Sequence, residues 1–300
     1  MEGVVNVLKP PGMTSSDVVT DIRHIYSMKR VGHTGTLDPG AAGVLPVCLG
    51  RATRLFDRLT DKQKEYIAEI TFGAETDTQD AYGTVVRRSD ARVNSDALEK
   101  MLPRFTGEQM QTVPKYAAVR VNGTPMYKLA RAGEEVFKKE RLITVHELAL
   151  LRQTGKNSFL LRVSCSRGTY VRALCSDIGI ALNTCAHLSF LLRTRAGAFT
   201  IENAYTLEEL RALKENDALA SAVMSVDAAL DGLPEFCLAD LSEREKRLLL
   251  NGAGVEHGGE FQMGETVKVY LDGRFIGLGE RNENGFHITV FFTGEEPDGI

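Results

Sequence analysis

Apolar residues recur along the chain with two alternating periods, near two and near 3.6, which predicts strands and helices interleaved along its length. Residues 3–8 form a short apolar strand, and Ser15 or Ser16 is expected to cap a helix in which Val18, Val19, Ile22, Ile25 and Tyr26 share one face. Beyond a glycine-rich turn, 44–49 reads as a buried strand, 51–59 as a helix and 65–72 as a strand. In that strand Tyr66, Ala68, Ile70 and Phe72 lie on one side, so Tyr66 points toward the apolar face. A helix over 94–105 with an Asn or Ser cap, an extended segment over 114–122 and a helix over 125–132 stopped by Gly133 follow.

The alternation of 158–165 predicts a strand and the spacing of 169–182 a helix, which puts Arg167-Gly168-Thr169-Tyr170 at a strand-to-helix junction, where side chains and helix-end amides are exposed. Residues 187–199 are extended, and 206–216 form a helix capped by Thr206 with Glu209 three positions on. The main body is expected to end near 230. Past it come a short helix over 242–251, two strands within 267–278 joined by Asp272-Gly273, and a turn at Asn284-Gly285 before a strand at 286–292. The expected architecture is α+β, with a division into 1–232 and a small β-rich unit over 233–300.

Composition narrows the class. The 300 residues are 43% hydrophobic and 25% charged, as in a soluble globular chain with a substantial core. No stretch reaches the roughly 18 uninterrupted apolar residues of a membrane span, and the N-terminus lacks a basic region followed by an apolar one. Five cysteines without a Cys-x-x-Cys pair read as reduced packing residues and point to the cytoplasm. The net charge of −4 is segregated: 104–141 and 161–195 each carry +4, whereas 202–245 are strongly acidic. Either basic block is a solvated surface or a nucleic-acid face on charge alone.

Candidate chemistry centres on Gly32-His33-Thr34-Gly35-Thr36-Leu37-Asp38-Pro39, where one carboxylate stands at the tip of a glycine-lined turn. Asp38 is a candidate nucleophile there, and a plain turn initiator otherwise. The histidines and cysteines show no metal-ligand spacing, and the glycines match no nucleotide fingerprint, so neither a metal nor a cofactor is expected.

Four segments together resemble the TruB family of tRNA pseudouridine synthases: Lys9-Pro10-Pro11-Gly12-Met13-Thr14-Ser15, the Gly32–Pro39 run, Thr76-Asp77-Thr78-Gln79-Asp80-Ala81-Tyr82-Gly83, and Arg167-Gly168-Thr169-Tyr170-Val171-Arg172. The resemblance implies a central mixed sheet flanked by helices and a C-terminal PUA-like RNA-binding unit. It implies isomerisation of uridine 55 in the T loop of tRNA without a cofactor. Asp38 is implied as nucleophile, Tyr66 as the ring that stacks on the target base and Arg172 as the ion-pair partner of Asp38. His33 is implied to touch the T loop, Tyr170 to line the pocket and Leu191 to pack on the base. The T arm of tRNA is then the partner, with no membrane and no obligatory protein partner, and a monomer is expected. Two positions depart from the family pattern: Ala117-Ala118-Val119-Arg120 stands for a Ser-Ala-x-Lys run, and Leu192 for a commonly basic residue.

The chemistry fits these residue types. Moving the sugar from a base nitrogen to a base carbon oxidises and hydrolyses nothing, so it needs a nucleophile and a dry pocket that retains the freed base. Two other functions compete: an RNA-binding module whose pocket is vestigial, and a hydrolase using Asp38 with Asp77 or Asp80.

Overall fold

A computed structural model describes residues 1–60, 63–121, 123–133, 139–238, 241–256, 262–283 and 285–292. The chain opens with β1 (Gly3–Lys9), α1 (Ser15–Tyr26), β2 (Val31–His33) and β3 (Ala42–Leu49), then a 3-10 segment over Gly50–Leu55 leads into α2 (Phe56–Thr60) and β4 (Lys64–Phe72). A hairpin of β5 (Ala74–Thr76) and β6 (Val85–Arg88), then α3 (Ser95–Met101), precede β7 (Gly107–Thr112). Short strands β8 (Arg120–Val121) and β9 (Thr124–Pro125) run into α4 (Met126–Arg131). Next come β10 (Glu140–Gln153), β11 (Ser158–Cys165), α5 (Val171–Ala181), β12 (Ala186–Ala196) and β13 (Phe199–Thr200), followed by α6 (Leu207–Glu215), β14 (Val223–Met224) and α7 (Val226–Ala229). The C-terminal part holds β15 (Glu235–Leu238), α8 (Glu243–Leu250), β16 (Thr266–Leu271), β17 (Arg274–Asn282) and β18 (Gly285–Phe291).

Among the described residues ten strands form one mixed sheet, with a backbone order β14-β1-β3-β12-β4-β11-β10-β7. Every pairing is antiparallel except β3 with β12, where Leu192 faces Ala42 and Arg193 faces Gly43. That parallel junction brings the loop before β3 next to the middle of β12. β1 and β3 are apolar nearly throughout because both of their faces are covered: Val5, Val7, Leu45 and Val47 pack beneath α1 and α6, while Val4, Val44 and Cys48 meet α7, Leu278 and Phe292. In β4 burial alternates strictly, and Tyr66, Ala68, Ile70 and Phe72 pack with α5. A second sheet, β15-β16-β17-β18, has its own apolar core around Phe236, Val267, Val269 and Phe286.

Several local expectations hold and several shift. Asp272 and Gly273 both take positive φ, 50° and 75°, as the two-residue hairpin turn between β16 and β17 requires. Asn284 lies outside the described residues. Thr206 caps α6 in a reciprocal box with Glu209. The cap of α1, however, is Thr14 with Asp17, not Ser15 or Ser16, because the Ser15 hydroxyl is used elsewhere: it accepts from Leu37 N at 2.9 Å. Of the segment expected to be extended over 114–122, residues 114–121 are mostly irregular and 122 lies outside the described residues, and β7 and the 14-residue β10 were not anticipated.

The close β3–β12 approach depends on Gly43, whose φ is 116° and where an added Cβ would lie 2.2 Å from the Arg193 carbonyl oxygen. Gly43→Ala should cost about 3 kcal/mol, combining backbone strain with a steric shift of the two strands. A urea midpoint equal to the wild-type value would contradict this packing.

Candidate active site

Asp38 sits in a loop, residues 34–41, held by separate parts of the chain. Ser15, at the start of α1, exchanges hydrogen bonds with the Leu37 backbone on both sides, its hydroxyl accepting from Leu37 N and donating to Leu37 O. The Pro39 carbonyl accepts from Gly12 N at 2.8 Å and from Lys9 Nζ at 3.3 Å. Arg193 Nη2 donates to Gly35 O at 3.2 Å, and Ala41 N closes the turn onto Asp38 O at 3.0 Å. Lys9 is fully buried and also donates to Pro10 O and Met13 O. Burial brings its amine down to about 8, against the pull of Asp38 and with the help of Arg193.

The partner of Asp38 arrives from α5. Gly168, at a φ of 79°, makes the turn between β11 and α5, and Gln111 on β7 brackets Tyr170 by accepting from its N–H at 2.8 Å and donating to its carbonyl at 3.0 Å. One residue into the helix follows Arg172, only 4% exposed. Its Nε lies 2.8 Å from Asp38 Oδ2, and its Nη2 donates to Asp38 Oδ1 at 3.4 Å. The same guanidinium donates to the carbonyls of Thr78, at 3.0 Å, and Tyr116, at 3.3 Å, and approaches Asp80 Oδ2 at 4.0 Å. A single planar fork thus joins the Asp38 loop, the Thr76–Gly83 turn and the segment after β7.

Burial pushes the Asp38 carboxyl above its ordinary value, Arg172 pulls it back, Asp80 adds to the rise, and Lys9 opposes it. The Asp38 side chain keeps 39% of its surface open, which makes the rise smaller than full enclosure would. Its open side faces a cleft of about 1020 Å³, lined among others by His33, Leu37, Asp38, Asp80, Tyr82, Tyr116, Arg172, Phe190 and Leu191. A base with its ribose fits such a space with room for a neighbouring nucleotide. A carboxyl group beside a recess of this size can, in its ionised form, attack a bound electrophilic carbon.

Of the six residues singled out in the sequence, Asp38, Arg172, His33 and Leu191 meet at this cleft. Tyr66 lies under the floor rather than in it: it is 7% exposed and packs in one buried cluster with Leu37, Ala41 and Leu191. Burial lifts its phenol to about 12, with the Arg193 guanidinium pulling the other way. Tyr170 is half-buried against Val113, Ala117 and Met126, outside the cleft lining but close enough for Arg172 and Asp38 to act on its phenol, which burial raises. His33 Nδ1 is buried without a hydrogen-bond partner among the described residues, and burial, then Arg193, lowers the imidazole, so the ring is neutral at neutral pH.

Sequence reasoning missed four contributors. Thr78 and Tyr116 act through carbonyls, which every residue owns, so no side-chain pattern marks them. Lys9 stood within a motif but signalled no role. Arg193 counted toward a basic block, yet it is 1% exposed and donates to Val44 O at 2.6 Å, so that block is not one solvated face. Asp77 and Asp80, possible partners of Asp38 in hydrolysis, spend oxygens on their own turn: Asp77 Oδ1 accepts from Thr84 N at 2.7 Å, and Asp80 Oδ1 from Thr78 Oγ1 at 2.7 Å and Tyr82 N at 3.0 Å.

Arg172→Met should strip four acceptors of their donor and destabilise the fold by about 2–3 kcal/mol, less than for a fully buried pair because Asp38 is partly open. Denaturation at the wild-type midpoint would contradict the bracing role.

A family profile described as "TruB family pseudouridylate synthase (N terminal domain)" matches residues 23–171, and one described as "tRNA pseudouridylate synthase B C-terminal domain" matches residues 172–231. The tRNA pseudouridine synthase B of Pelotomaculum thermopropionicum is 48% identical over 240 residues, 78% of this chain and 76% of that protein. Its counterpart from Caldanaerobacter subterraneus subsp. tengcongensis is 45% identical over 281 residues, 93% and 95% of the two chains. Among solved structures, a chain of an H/ACA ribonucleoprotein bound to a substrate RNA containing 2'-deoxyuridine matches with a TM-score of 0.73 at 26% identity, over 97% of this chain and 85% of that one. The chain therefore belongs to the TruB family of pseudouridylate synthases.

Proposed function

We propose that this protein isomerises uridine 55 in the T loop of tRNA to pseudouridine, with Asp38 as the nucleophile. The observation that carries the reading is the 2.8 Å pairing of Asp38 with a buried Arg172 at the mouth of a nucleotide-sized cleft. Arg172 keeps the carboxylate charged against desolvation and fixes its direction, so the attacking oxygen is oriented before substrate arrives. The target base leaves its stack and enters the cleft at a cost of a few kcal/mol, which contact with Leu191 and stacking on Tyr66 help to offset. Because Tyr66 is buried and outside the cleft lining, its ring meets the base only once the side chains that cover it move apart. His33, neutral and at the end of β2 in the same cleft lining, contacts the RNA, and Tyr170, packed just outside that lining, backs the pocket beside Arg172. In the reaction Asp38 forms a transient adduct with the nucleotide, the bond from C1' to N1 breaks, the base turns in place, C1' joins C5, and the adduct bond breaks to restore the carboxylate. The proton on C5 transfers to N1 through solvent or a pocket group, so the product has the formula of the substrate.

The printed names of the curated relatives support tRNA as the RNA, and the substrate RNA containing 2'-deoxyuridine in the solved relative supports uracil as the base. We assign residues 1–232 to the catalytic unit and 233–300 to a PUA-like RNA-binding unit. A separate four-stranded sheet with its own apolar core supports that division. The protein acts as a cytoplasmic monomer in this reading; no described helix is long and apolar enough to cross a membrane.

Unmodified tRNA transcript incubated with the protein and mapped with carbodiimide should show pseudouridine at position 55. Asp38→Asn should bind the transcript and lower the rate at least 10³-fold, as expected when a nucleophile is removed. Modification at an undiminished rate in Asp38→Asn would overturn the role of Asp38, and release of free uracil would favour a hydrolase.

A further inference from the structure

Two large aromatic side chains stand in solvent at the rim of the cleft, and nothing in the reaction just described uses them. Tyr82 is 74% exposed and Phe190 46% exposed, and both line the same cleft as Asp38. The segments that carry them are joined directly. Ala81 N donates to Leu188 O at 2.9 Å and Leu188 N donates to Gln79 O at 3.0 Å, so the Thr76–Gly83 turn runs parallel to β12 through an Asp80–Leu188 bridge. Tyr82 and Phe190 each lie two residues beyond that bridged pair. A bulge at Ser189, whose hydroxyl is drawn to Glu69, turns Phe190 outward from the strand. Tyr82 is placed just as firmly. Its ring abuts Gly40, two residues past Asp38, where an added Cβ would be 1.9 Å from a ring carbon. The amide of Tyr82 is held by Asp80 Oδ1.

Charge says what such a rim is for. Asp38, Asp77 and Asp80 line the cleft, and the one cationic side chain among its described lining residues is Arg172, already engaged by Asp38 and two carbonyls. His33 is neutral there. Phosphates find little attraction inside the cleft, so a nucleic acid entering it gains affinity through uncharged contacts to bases. Exposed aromatic faces supply that contact for any base, because every base has a face to stack on.

We infer that Tyr82 and Phe190 form a second base-binding position at the lip of the cleft, which stacks on a nucleotide adjacent to the target uridine once that nucleotide is unstacked from the loop. The inference rests on the proposed function, since it takes the target uridine to occupy the cleft at Asp38. The position holds a base by its face, so it tolerates any base identity and requires only that a base be present.

The test measures KM and kcat for pseudouridine formation on T-arm stem-loop transcripts, using wild type, Tyr82→Ala, Phe190→Ala and Tyr82→Phe, with RNAs that carry an abasic ribose at each neighbour of the target uridine in turn. Either alanine variant should raise KM by about 5- to 20-fold with kcat within about twofold of wild type, the range expected for losing one stacked base. Tyr82→Phe should retain the wild-type KM, which a hydroxyl-dependent structural role would not allow. On one of the abasic RNAs wild type should lose as much as Tyr82→Ala does on intact RNA, and the two losses should not add. Unchanged KM in both alanine variants, or full additivity on every abasic RNA, overturns the second base position while leaving the function intact. A wild-type enzyme that makes no pseudouridine on the intact RNA overturns both.

Discussion

One guanidinium organises this molecule's functional half. Arg172 reaches from the first turn of α5 to the Asp38 carboxylate, the Thr78 carbonyl and the Tyr116 carbonyl, which belong to three stretches of chain with no sheet pairing among them. Lysine could not substitute, because a point charge on a flexible stem lacks the fork that serves several acceptors at once. Burial of the arginine makes each of these bonds costly to break, and the unmet acceptors would be left in a poorly solvated place. The position of the carboxylate and its charge are therefore two consequences of one side chain.

The fold provides what that side chain needs. The parallel junction of β3 and β12 carries the Asp38 loop onto the middle of β12, and Gly43 permits an approach that any side chain would block. On the far side of the loop, Lys9 and Ser15 tie it to β1 and to the start of α1. The Asp38 loop is thus braced from both ends of the catalytic sheet's N-terminal half before α5 contributes Arg172. A loop so constrained loses little further freedom when RNA binds, which suits the nucleophilic role proposed for Asp38. At the rim the constraint relaxes into exposed rings, where tolerance of sequence is more useful than fixed geometry.

The elements that could be read from the sequence are those whose burial is one-sided or whose turns need special backbone. The strict alternation in β4 follows from packing on α5, and Asp272-Gly273 announces its hairpin because both residues adopt positive φ. β10 escaped notice because bulges between Val145 and Glu147 and between Leu150 and Arg152 break its alternation, and much of it is exposed. In the candidate site, residues with distinctive side chains in compact motifs, Asp38, His33 and Arg172, were identifiable in advance. Tyr66 was also identifiable, but its burial outside the cleft lining depends on packing that no motif records. Carbonyl acceptors and the buried state of Arg193 arise only from the three-dimensional arrangement.

The central claim is that Arg172 holds Asp38 as a carboxylate against the desolvation of the cleft. Carbon-13 NMR of aspartate-labelled protein measures this directly, with the Asp38 signal assigned by its loss in Asp38→Asn. Asp38 should titrate above the ordinary carboxylate range, because burial raises it and Arg172 limits the rise. In Arg172→Met the midpoint should move further up, so that the charged form is lost at higher pH than in wild type. An Asp38 midpoint that is the same with and without Arg172 would contradict the account.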